Sequence, residues 1–198
     1  MKKLFLSVIL LVICICPSCE IAQQIEKMYY LTSCQFRMKD VNNIALAGIS
    51  LDNITKPDQF SLLDAAKLLS AAKSSNFPLT FNINVEGTNP NTREAGLNKM
   101  DYIVLIDNTQ MASGTVYHAV SIPANNGKAT IPFGIEVNLK EIFSGQSADA
   151  IVKFAKNLAG LSSDDSRITM KIKPYITVNQ QEMAYPEFIS LSKTFKSK

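Results

Sequence analysis

Tryptophan is absent from this chain of 198 residues, and histidine occurs only once, at His118. A single histidine excludes metal sites built from several imidazoles, and His118 has no plausible neighbours in the sequence for a catalytic triad. We therefore expect no metal and no cofactor. The missing tryptophan also weakens the case for a sugar-binding platform, because tryptophan offers the largest aromatic surface for stacking.

Motifs for phosphate binding and catalysis are missing as well. The 8 glycines are scattered along the chain, and the patterns Gly-x-Ser-x-Gly, His-Glu-x-x-His and Gly-Lys-Ser/Thr do not occur. The formal net charge is +3, and without Lys2 and Lys3 the chain has 18 basic and 17 acidic residues, a net charge of +1. This balance gives no indication of a nucleic-acid partner.

The first 18 residues have the layout of a secretory signal peptide. Lys2 and Lys3 precede a nearly unbroken apolar run, residues 4–15. A membrane-spanning helix needs about 20 apolar residues, so this run is too short for a permanent anchor. The sequence predicts that residues 1–18 are removed.

A cysteine follows the apolar run directly after a small residue, in Cys16-Pro17-Ser18-Cys19. This stretch resembles the lipobox of bacterial lipoproteins, with Cys16 where that family usually has leucine. The resemblance implies that the Cys19 thiol receives a diacylglyceryl group, that the peptide is cut before Cys19, and that the new N-terminus is acylated. Two or three acyl chains, at about 0.8 kcal/mol per buried CH2, hold a protein firmly on a membrane. Cys19 is therefore the predicted lipidation site.

A lipoprotein of this kind is anchored to the bacterial cell envelope and does not span the membrane. Glu20 follows Cys19 in place of the aspartate associated with inner-membrane retention in some bacteria, so the outer membrane is favoured. The alternative is an ordinary secreted protein with cysteines in its signal peptide. The expected partners are the membrane, through the lipid, and an envelope protein or glycan.

Removal of the signal peptide leaves only Cys19 and Cys34. If Cys19 is alkylated, Cys34 has no partner, and a disulfide framework is excluded. Cys34 lies on the apolar side of an alternating run, which predicts a buried core thiol. A nucleophilic role is the weaker alternative, because His118 is the only histidine that could act as its base.

Alternation of apolar and polar residues dominates the chain from Met28 onward. It predicts strands with one face toward a core and the other toward water, as in antiparallel sheets. The clearest examples are residues 33–38, 81–86, 129–140 and 167–173. Pro132 predicts an edge strand or a bulge, because proline cannot donate to the ladder. Residues 19–27 are polar and unpatterned and predict a short tether, followed by a single domain at 28–198.

Two tight turns and two helices complete the predicted elements. Asp107-Asn108 and Asn126-Gly127 each predict a hairpin turn. The apolar runs at 81–85 and 97–106 are expected to form adjacent or near-adjacent strands. Helices are predicted from Ser61, with Leu62, Ala65, Ala66 and Leu69 on one side, and from Ser147 to a C-cap at Gly160.

Residues 78–139 resemble the late-embryogenesis-abundant group-2 family, also called the water-stress and hypersensitive-response domain. The features that carry the resemblance are residues 79–85, Thr88-Asn89-Pro90-Asn91, 97–106, the turn at 107–108, 112–114, 122–124 and 129–139. The resemblance implies an immunoglobulin- or fibronectin-like antiparallel β-sandwich in which Asn89, Pro90 and Asn91 form a structural turn. The chain is also similar to lipoproteins of Bacteroides-type bacteria that carry such a domain with a helical insertion.

These features favour a non-catalytic binding, scaffolding or assembly role at the cell envelope. One alternative is a hydrolase acting on envelope glycans, because two of the 17 acidic residues could meet across a groove. Another is a generic stress-protective surface protein. Asp164 and Asp165, with serines around them, suggest a solvated loop more than a calcium site. The six tyrosines suggest core or rim residues more than sugar platforms: Tyr29, Tyr30, Tyr102, Tyr117, Tyr175 and Tyr185.

Overall fold

The computed structural model describes residues 18–52, 54, 56, 59–143, 145, 147–161, 165–178 and 181–195. The helices are α1 (Ser18–Leu31), α2 (Leu62–Lys73) and α3 (Ala148–Leu158). The strands are β1 (Gln35–Leu46), β2 (Ile49–Ser50), β3 (Pro78–Asn89), β4 (Ala95–Leu97), β5 (Lys99–Ile106), β6 (Thr109–Val116), β7 (Val120–Ile122), β8 (Gly127–Asn138), β9 (Ser166–Val178), β10 (Gln181–Ala184) and β11 (Ile189–Phe195).

Antiparallel pairing arranges most strands into two sheets. The first sheet has the order β2-β1-β3-β8. In the second sheet the order is β10-β9-β5-β6, and β11 also pairs with β9. The short strands β4 and β7 pair with each other beside them. The mainly β, antiparallel sandwich with inserted helices that the sequence predicts is confirmed.

The core lies between the inner faces of the two sheets. Alternation places Ile83 of β3 and Phe133 of β8 on the inner face of the first sheet, and Met170 of β9 on that of the second, all of them buried. The rings of Tyr102 and Phe133 meet edge to face across the interior, with centroids 5.7 Å apart. Sequence alternation therefore produces the two-layer packing directly.

Pro132 lies on β8, which is the edge strand of the first sheet. An edge position tolerates a residue without a backbone N–H, so the predicted edge placement is confirmed. The turn at Asp107-Asn108 is also confirmed: it joins the paired strands β5 and β6, with φ of 48° and 67° at its two residues. Positive φ at both positions is the geometry of a two-residue hairpin turn.

The predicted hairpin at Asn126-Gly127 is wrong. Strand β7, before this turn, pairs with β4, and β8, after it, pairs with β3, so the turn links two sheets. The N–H of Asn126 donates to the carbonyl of Asn89 at 2.8 Å, and the N–H of Asn125 to that of Asn91 at 2.7 Å. Turn residues favour the local backbone geometry but do not select the strands that pair.

The runs at 81–85 and 97–106 also lie in different sheets, within β3 and in β4 to β5, so their predicted adjacency is wrong. The intervening segment crosses from one layer of the sandwich to the other. The short separation of the two runs along the chain favoured a hairpin. In the structure, the buried side chains of the two runs instead pack against each other's sheets across the core.

Both predicted helices are present. Ser61 caps α2 in a capping box, accepting from the Asp64 N–H at 3.1 Å, while Asp64 Oδ2 accepts from the Ser61 N–H at 3.1 Å. Ser147 caps α3, and Gly160 follows its end with φ of 68°. The predicted apolar side of α2 is only partly correct: Leu69 packs against the core, but Leu62 is 92% exposed, and the fully buried side chain of the helix is Leu68.

Residues 19–27 differ from the predicted tether, since they form the first turns of α1. The helix packs against β4 and buries Met28 and Leu31 in the core. Ile21, Ile25 and Met28 have helical spacing, i, i+4 and i+7, in a segment rich in helix-forming residues. Within the described residues, no helix has the length and apolar character needed to cross a bilayer.

Candidate binding surface

The Asn-Pro-Asn junction, formed by Asn89, Pro90 and Asn91, lies where β3 ends. Asn89 is fully buried, and its side-chain amide donates to the carbonyls of Arg93 at 2.8 Å and Ile122 at 3.0 Å. Its carbonyl oxygen accepts from Asn91, at 3.0 Å from the backbone N–H and 2.7 Å from the side-chain amide. Both amide hydrogens and both lone pairs of Asn89 are therefore used within the protein, and none remains for a ligand.

The same junction holds helix α1. The side-chain amide of Asn91 donates to the carbonyl of Tyr30 at 2.8 Å, near the C-terminal end of the helix, where backbone carbonyls lack helical partners. Arg93 pairs with Glu26, and Lys27 with Glu94, each with an N–O distance of 2.5 Å. The segment predicted as a structural turn thus also docks the helix onto the sandwich.

Cys19 and Cys34 lie near the two ends of α1. Cys19 is in the first turn of the helix, while most of the predicted signal peptide, residues 1–17, lies outside the described residues. Cys34 is half-buried and its thiol donates to the Tyr30 carbonyl at 3.4 Å. Burial raises the pKa of the Cys34 thiol to about 11. The thiol is therefore protonated at neutral pH, which disfavours the nucleophilic alternative.

His118 is exposed in the loop between β6 and β7, outside both strands. Of the acidic loop, Asp164 and its neighbours Ser162 and Ser163 lie outside the described residues. Asp165 is exposed. Across the part of the chain that the structure describes, no group of three or more His, Cys, Asp or Glu side chains is placed to hold a metal ion.

Polar and aromatic side chains gather on the outer face of the second sheet. Alternation along β5 turns Lys99 and Asp101 outward, because Met100 between them is buried. The β5–β9 register sets Tyr175 opposite Lys99 and Lys173 opposite Asp101. We call Lys99, Asp101, Tyr117, Tyr175 and Glu182 the outer-face cluster.

Lys99 is the centre of this cluster. Its Nζ lies 2.6 Å from Glu182 Oε2, 4.5 Å from the centroid of the Tyr175 ring and 5.9 Å from that of Tyr117. Only 14% of the Lys99 side chain is exposed. The hydrogen bond to Glu182 raises the pKa of Lys99, so the amine stays charged at neutral pH.

Asp101 occupies the neighbouring position on the same face. Burial opposes its ionisation, but hydrogen bonds from Thr115, at 2.7 Å, and Tyr175 hold its pKa below the ordinary value, helped by Lys99 and Lys173. The hydrogen bond to Asp101 in turn raises the pKa of Tyr175. These interactions therefore favour a charged Lys99, an ionised Asp101 and a protonated Tyr175, the states that the three groups ordinarily have at neutral pH.

Aromatic rings lie beside the charged groups of this face. Tyr117 is 77% exposed. Phe188 is also exposed, and its ring centroid lies 5.7 Å from Lys173 Nζ. Exposed rings beside fixed charges offer both apolar contact and hydrogen bonds to a partner. Sequence analysis missed this cluster because Glu182 belongs to the unpredicted strand β10. The alternation of Lys99 and Asp101 with apolar residues was the available signal.

Among the open cavities elsewhere, two lie beside residues that the sequence analysis names. One, of about 360 Å³, is formed by α2, α3 and the segment after β8, and is lined by Leu69, Lys140, Phe143 and Ile151 among others. The other, of about 320 Å³, is lined by Asp107, Asn108, Asp165, Arg167 and Thr194. Asp107 accepts from the Ser166 hydroxyl at 2.9 Å and from the Arg167 N–H at 2.7 Å, one bond on each oxygen.

No family model and no curated protein matches the sequence. Solved structures are similar in fold. A protein from Arabidopsis thaliana has a TM-score of 0.40 at 13% identity, over 82% of this chain and 77% of that one. A putative late embryogenesis abundant (LEA) protein has the same TM-score and identity, over 83% and 72% of the two chains. A protein from Archaeoglobus fulgidus has a TM-score of 0.36 at 12% identity, over 63% and 89%. This likeness concerns the fold alone.

Proposed function

We propose that the protein is a lipid-anchored protein of the bacterial cell envelope, built on a late-embryogenesis-abundant group-2-like domain, with a non-catalytic binding role. Its partner is an envelope protein or glycan at the outer membrane, and the outer-face cluster is the contact surface. The lipid anchor is supported by Ser18-Cys19 after the apolar run.

One observation carries the preference for binding over catalysis. Lys99 Nζ is held 2.6 Å from Glu182 Oε2, and Asp101 is held by the Thr115 hydroxyl at 2.7 Å, beside the ring of Tyr117, which is 77% exposed. Fixed charges beside an exposed ring favour a surface that recognises a partner.

Site-specific cross-linking in the native cell tests this role. A photoreactive phenylalanine analogue replaces Tyr117 on the outer-face cluster or, as a matched control, Glu136, which is exposed on the first sheet. We expect a discrete cross-linked product at position 117 that is absent at position 136. Identical products at both positions, or none at position 117, would contradict the proposed surface.

The anchor has a separate test. Mass analysis of the N-terminal peptide from membranes should show an acylated Cys19, and Cys19→Ala should release the protein from the membrane fraction. An unmodified Cys19, or a membrane association that the substitution leaves unchanged, would overturn the anchor without bearing on the outer-face cluster.

The glycan-hydrolase alternative has one supporting observation, the cavity shared by Asp107 and Asp165. Both oxygens of Asp107 already accept hydrogen bonds that hold the start of β9, which favours a structural role. Cleavage of purified envelope glycan by the protein, lost in both Asp107→Asn and Asp165→Asn, would establish the alternative. We expect no cleavage by any of the three proteins.

A further inference from the structure

Helix α1 carries a second apolar side that the sandwich does not cover. Met28 and Leu31 are buried against the domain, whereas Ala22, Ile25 and Tyr29 form an exposed stripe at i, i+3 and i+7. Ile25 is 45% exposed and Tyr29 is 70% exposed. These three residues, which we call the α1 stripe, lie along one line of the helix.

The direction in which the stripe faces is fixed by the domain. Asn91 binds the carbonyl of Tyr30 at the end of α1, and the ion pairs of Glu26 with Arg93 and of Lys27 with Glu94 tie the helix along its length. The helix is therefore part of the folded unit, and any surface that contacts the stripe also sets the orientation of the sandwich.

The stripe begins one helical turn after Cys19. At about 1.5 Å per residue, Ala22 lies about 4.5 Å and Tyr29 about 15 Å along the helix from Cys19. The lipid anchor proposed above places acyl chains on Cys19, and these chains would hold this end of the helix at the bilayer surface. Interfacial helices bury an apolar face about 5–10 Å deep in the headgroup region, and tyrosine is enriched there.

We infer that α1 lies on the bilayer surface, with Ala22, Ile25 and Tyr29 in the headgroup region, and holds the sandwich in one orientation. A lipid surface fits better than a second copy of the chain, because three side chains are far fewer than the roughly 20–30 residues a side of a stable dimer. The inference rests on lipidation of Cys19.

The chain has no tryptophan, so a single introduced one is a clean reporter. The full chain is produced in a bacterium with Tyr29→Trp or, as the matched control, Tyr117→Trp, since both tyrosines are mostly exposed. Each protein is purified from membranes, checked for acylation of Cys19 by mass, and reconstituted into phosphatidylethanolamine–phosphatidylglycerol vesicles with or without brominated lipid.

In vesicles, we expect the emission of Tyr29→Trp to shift to shorter wavelength and to be quenched by brominated lipid, while Tyr117→Trp changes in neither respect. An acylated protein with unshifted, unquenched tryptophan at position 29 overturns the inference and leaves the anchor standing. An unmodified Cys19 overturns both. A shift that depends on protein density but not on brominated lipid indicates a second copy on the stripe and also overturns the inference.

Discussion

The Asn-Pro-Asn junction and the outer-face cluster are both rich in polar groups, but they use them in opposite ways. Asn89 is buried and directs every side-chain hydrogen bond to a neighbouring backbone or side-chain group. In the outer-face cluster, Lys99 and Asp101 are fixed by side-chain partners at the surface, with the exposed ring of Tyr117 beside them. The first arrangement stabilises the fold, and the second leaves charged and aromatic groups exposed on the surface of the sheet.

The largest expected effect is at the junction. Asn89→Ala leaves the carbonyls of Arg93 and Ile122 and the N–H of Asn91 without their partner in a buried site, at a cost of about 3 kcal/mol in the free energy of unfolding. Urea unfolding measures the loss. The control is Asn84→Ala on the same strand, where a half-buried amide donates to Asp40 at 2.7 Å; we expect a cost of about 1 kcal/mol. Equal costs would contradict the special position of Asn89.

The next largest loss of stability is expected from a substitution at Gly127, which pairs with Asn89 across β3 and β8. An added Cβ would clash with the backbone oxygen of Pro123 and lie 2.7 Å from its carbonyl carbon, and backbone atoms cannot move as freely as a side chain. We expect Gly127→Ala to lower the free energy of unfolding by about 2 kcal/mol. Gly134→Ala on the same strand is the control, since its new Cβ meets only Asn82 Oδ1, at 3.8 Å. Similar urea midpoints for the two variants would contradict this prediction, because they would show that the start of β8 accommodates the added methyl group.

A smaller effect is expected where the junction meets the helix. Asn91→Ala removes the hydrogen bond to the Tyr30 carbonyl and one of the bonds to Asn89, and we expect a cost of about 1 kcal/mol. Hydrogen exchange measured by mass spectrometry should show that the substitution speeds exchange in residues 18–31 more than in β3, relative to the unmodified protein. Unchanged protection of the helix would mean that the Glu26–Arg93 and Lys27–Glu94 ion pairs hold it without Asn91.

Local sequence signals predicted local features of the molecule. The capping box at Ser61 and Asp64, the turn at Asp107-Asn108 and the edge position of Pro132 all follow from chemistry within a few residues. Local signals do not determine which strands pair across long separations, so the predicted hairpin between β7 and β8 is wrong. The buried face of α2 was also missed, because packing on the rest of the domain selected Leu68 instead of Leu62.

The outer-face cluster was not predicted for the same reason, because it depends on strand pairing over long separations. Lys99, Tyr175 and Glu182 are separated by 83 positions along the chain from first to last, and the register of three strands brings them together. Glu182 lies in a strand of only four residues, all of them on the surface, and this segment has no apolar alternation from which a strand could be predicted. The alternation along β5 predicts that Lys99 and Asp101 point outward, but the sequence does not predict that Tyr175 and Glu182 lie on the same face beside them.

The smallest effect, on pH dependence, sharpens the comparison between the two regions. The folded pKa of Asp101 lies below its unfolded value of about 3.9, so its contribution to stability is complete above that value and is lost as the pH falls through the folded pKa. Asp101→Asn should therefore flatten the acid side of the stability profile. Urea midpoints between about pH 6 and pH 2.5 measure the change. Asn89→Ala should lower the midpoint by a similar amount throughout this range, because amides do not titrate. An acid limb as steep in Asp101→Asn as in the unmodified protein would show that the charge of Asp101 is not held by its neighbours in the folded state.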